Sequence, residues 1–215
     1  MSDQLSSSAE SAIVTPSSKI AAQPIGATLS ISLLEVDLLA NNIGFPASAI
    51  LGRTVVNDAE VTVGKIEDLI IDPNENVLLA VLSVGGFLGM GAKHIAVSFA
   101  GLEIGDTQAV YPNATREALE GLPDESGATG IRATKVIGAT VVNQDGETVG
   151  TIDDLIVTPA RNVAHAVLSV GGFLGIGKKH VVIPYHVLET HDGQLVFRDA
   201  TRDSLKELPE FKYLN

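Results

Sequence analysis

The sequence predicts a mainly β protein, with two small and mostly antiparallel barrels in tandem, each ending in a short helix. Three observations lead to this class. Sliding the 215-residue chain on itself by 86 positions aligns residues 52–123 with 138–209 without a gap, and about 39 of the 72 aligned positions are identical. Within each copy, short apolar runs are separated by turn residues, as strands are. The composition is 45% hydrophobic and only 19% charged, with 21 Gly and 9 Pro, which suits a compact, turn-rich fold and not a disordered chain.

The first 46 residues form a Ser/Ala-rich leader, expected to be partly disordered. Within it, Ser32-Leu33-Leu34-Glu35 has capping-box spacing for a short helix ending near Asn41-Asn42-Ile43-Gly44. Alternation of Leu29, Ile31 and Leu33 keeps a strand open as the alternative. Residues 1–15 carry neither a basic n-region nor an apolar h-region, so no export signal is read there.

The first copy spans 47–123. Its strands are expected at 54–57, 62–71, 77–84, 93–97 and 108–111, the second of them stopping at Asp72-Pro73-Asn74. Thr115 then caps a helical turn or two over 115–120, with Glu117 favoured by the helix dipole and Pro123 as the stop. A linker covers 124–134, and the second copy, 135–215, repeats the order. Its first hairpin turn is Asn143-Gln144-Asp145-Gly146-Glu147, where Asp-Gly favours a tight turn. Strands at 163–170, 179–183 and 194–197 follow, then a helix at 201–206 capped by Thr201 and stopped by Pro209. Five or six short strands in about 75 residues are best closed into a barrel, which removes exposed edges and fills the interior with side chains.

Several function classes are disfavoured by composition. The net charge of −12, from 26 acidic and 14 basic residues, repels a phosphate backbone, so nucleic acid and anionic lipid are poor partners. With no Cys there is no disulfide, thiolate metal site or cysteine nucleophile. The most membrane-like stretch, 77–92, is uncharged but shorter than the roughly 20 residues a spanning helix needs and holds four Gly, so it reads as strand, glycine turn, strand.

The run Val84-Gly85-Gly86-Phe87-Leu88-Gly89-Met90-Gly91 before Lys93-His94 recurs as Val170-Gly171-Gly172-Phe173-Leu174-Gly175-Ile176-Gly177 before Lys179-His180. With the closing Ala-Thr-Arg-x-x-Leu-x-x-Leu-Pro of each copy and the Phe211-Lys212-Tyr213 end, this pattern resembles the PRC-barrel domain family. That family takes its name from the cytoplasmic domain of the photosynthetic reaction-centre H subunit and includes the C-terminal domain of a ribosome maturation factor. The resemblance implies a docking and assembly module with no shared catalytic residue. It also implies an envelope setting, since tandem bacterial members are often exported and the leader is similar to a mature periplasmic start. The compartment is periplasmic if an export signal has been removed, and cytoplasmic otherwise.

Four constellations of residues could carry chemistry. Residues 172–178 match Gly-x-x-x-x-Gly-Lys, but Lys179 replaces the magnesium-binding Ser/Thr, Ala92 replaces the Lys in the first copy, and both loops lead into strand-like runs, so nucleotide binding is not expected. The same loops either present Phe87, Leu88, Phe173 and Leu174 to a protein partner or plug their own barrel ends with the two Phe rings. Glu67-Asp68 and Asp153-Asp154 sit in strands, where neighbours point to opposite faces and do not converge as an acid/base pair. Asp68 and Asp154 are expected to accept backbone N–H groups or to pair with a base such as Lys65. The five His lack helical His-x-x-x-His spacing, and no metal is expected.

The leading expectation is therefore a non-enzymatic scaffold without a cofactor. Its partner would be another protein or complex, with homo-oligomerisation as a further option. The alternative is a small-ligand or metal site, or an enzyme, in a cleft between the barrels built from Asp154, His165, His186 and His191.

Overall fold

The strand and turn chemistry builds two seven-stranded mixed sheets, one centred on each copy, in a computed structural model of the protein. It describes residues 44–213 except 73, 87–90, 159 and 174–175. The helix or strand expected in the leader lies outside the described residues. In chain order the first copy contributes β1 (Phe45–Pro46), α1 (Ala47–Ile50), β2 (Thr54–Val56), β3 (Thr62–Ile71), β4 (Val77–Val84), β5 (Lys93–Ser98), β6 (Glu103–Ile104), β7 (Ala109–Val110) and α2 (Arg116–Glu120). The second contributes β8 (Ile131–Arg132), α3 (Ala133–Val136), β9 (Thr140–Val142), β10 (Thr148–Val157), β11 (Val163–Phe173), β12 (Ile176–Pro184), β13 (Glu189–His191), β14 (Gln194–Val196) and α4 (Arg202–Glu207).

Each sheet follows the same path, β5-β4-β3-β2-β7-β6 and β12-β11-β10-β9-β14-β13. All ladders are antiparallel except β2 with β7 and β9 with β14, which are parallel. The β2–β3 and β9–β10 hairpins close because a shared Asn accepts two turn amides. Asn57 Oδ1 takes the N–H of Ala59 and Val61, and Asn143 Oδ1 those of Asp145 and Glu147. The closing helices form where Thr115 and Thr201 cap them, Thr201 in a reciprocal capping box with Ser204. Ile66, Leu69, Leu82 and Ile95 fill the first core, and Ile152, Leu155, Leu168, Ile183 and Leu205 the second, all fully buried.

The closed ladder expected from strand count is not formed. Among the described residues no hydrogen bonds join β5 to β6 or β12 to β13, so each sheet is a coiled, open path. Closure would require long strands at the seams, and β6 and β13 are only two and three residues long.

The copies are interlocked by exchange. β1, at the head of the first copy, pairs with β10 of the second, and β8, at the head of the second, pairs with β3 of the first. An Asn76–Asn162 bridge lies between them. There, Val77 donates its N–H to the Arg161 carbonyl (2.8 Å) and Val163 donates to that of Glu75 (2.7 Å). These contacts relate the copies by an approximate two-fold axis.

Candidate functional site

The exchange is anchored by the two paired carboxylates. β3 and β10 each bulge, between Ile66 and Asp68 and between Ile152 and Asp154. A bulge re-aims side chains. Glu67 and Asp153 are left at the surface, while Asp68 and Asp154 are 5% and 1% exposed. Asp68 accepts the Thr134 amide (3.1 Å) and hydroxyl (2.6 Å), its neighbour Leu69 N–H (2.9 Å), and an ion pair from Arg132 (3.5 Å). Asp154 accepts the Ser48 amide (3.1 Å), the Ser48 hydroxyl and the Leu155 N–H (2.8 Å). Backbone amides are thus satisfied as expected, but the base on Asp68 is Arg132. Lys65 pairs with Glu67 instead, at 3.7 Å, because the bulge turns Asp68 inward and leaves Glu67 on the face that Lys65 can reach.

Ser48 and Thr134 occupy the first turns of α1 and α3, which have no side-chain N-cap of their own. Each four-residue helix has one amide of its first turn satisfied by a carboxylate of the other copy. Arg132 also donates to Glu125 at 2.8 Å, and these two acids hold its proton more tightly than usual, Glu125 more than Asp68.

Where the exchanged segment meets the opposite copy, a cleft of about 230 Å3 opens, lined by Phe45, Ile50, Phe99, Leu102, Glu103, Ile104, Val157, Thr158 and Arg161. The first copy supplies the Phe45–Ile50 segment and the Phe99–Ile104 wall, and the end of β10 with its turn supplies Val157, Thr158 and Arg161. Arg53 lies over the outer face of the Phe45 ring, 5.8 Å from its centroid. At the two-fold-related positions, Tyr185 replaces Phe99, Thr190 replaces Ile104 and Glu75 replaces Arg161. Burial, then the Glu75 charge, raises the Tyr185 hydroxyl above its ordinary pKa. Glu189, the counterpart of Glu103, is clamped by Arg198 at 2.7–3.0 Å, and this lowers its pKa.

Of the loop residues expected to meet a partner, Phe87, Leu88 and Leu174 lie outside the described residues. Only the backbone of Phe173 is described, extending β11 opposite Ile176. Both glycine loops lead into strands, β5 and β12, and not into the helix that a phosphate needs.

The four residues of the alternative cleft lie on separate elements, and none lines the cleft between the copies. Asp154 is buried in β10, and His165 is half-buried in β11 opposite Ile156 and Pro184. His186 is exposed in the turn after β12, and His191 is exposed at the end of β13, 3.9 Å from Asp192. Among the described residues no group of three or more His, Asp or Glu could hold a metal ion.

His180 is drawn into a different cluster. Asp153 accepts the Tyr213 hydroxyl at 2.8 Å and lies 3.5 Å from His180, whose ring meets Tyr213 edge-on. The tail is held down beside it. Phe211 donates its N–H to the His180 carbonyl (2.8 Å) and packs on Ile156, Val167 and Val182.

The exchanged segments are built from 44–50 and 130–136, of which the repeat reading places 44–46 in the leader and 130–134 in the linker. The signal was present: the same offset extended upstream matches Gly44 with Gly130, Ala47 with Ala133 and Ser48 with Thr134.

The chain is 35% identical to the ribosome maturation factor RimM of Chromobacterium violaceum over a segment covering 26% of this chain and 44% of that protein, so it spans less than half of that relative. The PRC-barrel domain matches twice, over residues 43–113 and 128–200. Both matches start at the exchanged segments, each ends near its sheet's last short strand, and together they cover most of the chain, which belongs to the PRC-barrel domain family.

Proposed function

We propose that the protein is a non-enzymatic docking and assembly module, whose interlocked copies offer one stiff body with two unlike faces to another protein. The observation that carries this reading is how the two copies differ. The residues that anchor the interlock and several of the core are the same in both, as in Gly44/Gly130, Ala47/Ala133, Asp68/Asp154 and Leu82/Leu168. The residues that line the two junctions differ instead, in Phe45/Ile131, Phe99/Tyr185, Ile104/Thr190 and Arg161/Glu75. A constant frame with divergent faces suits asymmetric recognition of a partner. The RimM match makes a ribosomal assembly one class of target. The charge of −12 favours contact there through protein and not RNA.

The test is photo-crosslinking in the source organism, with the crosslinker placed in turn at Leu88, Leu174 and Glu103. Docking predicts one protein captured repeatedly from at least one of these positions. Capture of nothing but the chain itself at all three would remove the reading.

A further inference from the structure

We infer that the junction cleft receives one large apolar side chain of a partner protein, with an acidic residue of that partner beside it paired to Arg161. This rests on the docking reading above and names what docks. The size argues for a side chain: about 230 Å3 is below the roughly 300–1,000 Å3 of small-molecule sites and suits a single Leu, Met or Phe. The lining argues the same way. Phe45, Ile50, Phe99, Leu102, Ile104 and Val157 form apolar walls with charge confined to the rim, the arrangement in which an anchor residue contributes most of the binding energy.

Charge selects the neighbour of that anchor. Among the described residues the arginines in ion pairs are Arg132 and Arg198, and Arg161 enters none. It is an exposed cation on a chain of net charge −12, beside an apolar hole. Glu103 lines the opposite wall without an ion pair among the described residues, so a second acid on that side would be repelled and the partner's orientation is set. The two-fold-related junction has Glu75 in place of Arg161 and a Tyr hydroxyl at its wall, so the same acidic neighbour is repelled there. The recognition is therefore one-sided although the frame is two-fold.

The test pans a displayed random peptide library against the full chain and measures the enriched peptides again on Ile104→Trp, which fills the cleft, and on Arg161→Glu, which reverses the rim charge. Thermal melts check that both variants are folded, and Arg161→Glu, at an exposed turn, serves if Ile104→Trp is not. The proposal expects a large apolar residue next to Asp or Glu in the enriched peptides. Affinity should fall about thirtyfold on Ile104→Trp and about fivefold on Arg161→Glu. Exchanging the peptide's acid for Lys should restore binding to Arg161→Glu.

No enrichment, or enriched peptides that ignore both variants, overturns the cleft assignment. The docking reading then stands or falls separately on the crosslinking. A concentration-dependent dimer that Ile104→Trp dissolves would put a second copy in the cleft and overturn the proposal as well.

Discussion

Asp68 and Asp154 show how one residue type at one repeat position comes to hold two copies together. Each is a buried carboxylate that accepts its own neighbour's amide and, from the other copy, an amide and a hydroxyl, so truncation leaves those donors without partners. Asp68→Ala and Asp154→Ala should each cost about 2–4 kcal/mol of stability. Glu67→Ala, at the surface, should cost less than about 0.5 kcal/mol. Urea denaturation measures all three, and equal effects would show that the buried acids do not secure the exchange. That one acid of each adjacent pair turns away from the surface was legible in strand alternation, but that it is Asp68 and Asp154 depends on the bulges. Their partners were not legible, since Thr134 and Ser48 lie 66 and 106 residues away.

At the same scale, Tyr213 is held protonated, chiefly by burial and then by its bond to Asp153, and Tyr185 by burial and the Glu75 charge. Their folded-state pKa values lie above the ordinary 10.0. The stability they contribute is fully present below pH 10 and declines at higher pH, as the unfolded chain gives up protons that the folded one keeps. An absorbance titration should show tyrosines ionising late. Tyr213→Phe should flatten the fall of melting temperature above pH 10, and an unchanged slope would show that Tyr213 titrates as a free phenol.

Elements were legible in proportion to their length. The ten residues of β3 and of β10 alternate only loosely but show their turn boundaries directly, and Thr115 and Thr201 announce the closing helices. β1 and β8, at two residues each, are too short to have a period, and α1 and α3 carry no cap of their own because Asp154 and Asp68 supply it from the other copy. The exchanged strands also need close approach. A Cβ on Gly44 would lie 2.6 Å from the Val157 carbonyl oxygen, and one on Gly130, at φ +135°, 2.7 Å from that of Ile71. Gly44→Ala and Gly130→Ala should each destabilise the protein by about 1–3 kcal/mol. Gly127→Ala, with open space around it, should be nearly neutral. Thermal melts compare the three directly, and a Gly130→Ala protein as stable as Gly127→Ala would contradict the close approach.

For the whole molecule, exchange makes covalent continuity between the copies dispensable. A protease site placed at Ser126-Gly127 cuts between an N-terminal fragment that donates β1 and α1 and a C-terminal fragment that donates β8 and α3. After cleavage the fragments should elute together in size-exclusion chromatography and separate only in denaturant. Separation in native buffer would show that the linker, and not the interlock, joins the copies.

The sequence by itself determined the duplication, the mainly β class, the hairpin turns, the capped closing helices and the family. All of these rest on local chemistry, on spacing within tens of residues or on a motif repeated in register. Only the tertiary structure decided which copy each leading strand joins, that the sheets stay open, and that the exchange frames a cleft with Arg161 on one side of the two-fold and Glu75 on the other. Those outcomes depend on contacts between residues far apart in the chain, made by segments of two to four residues whose partners give them their conformation, and no local pattern records them.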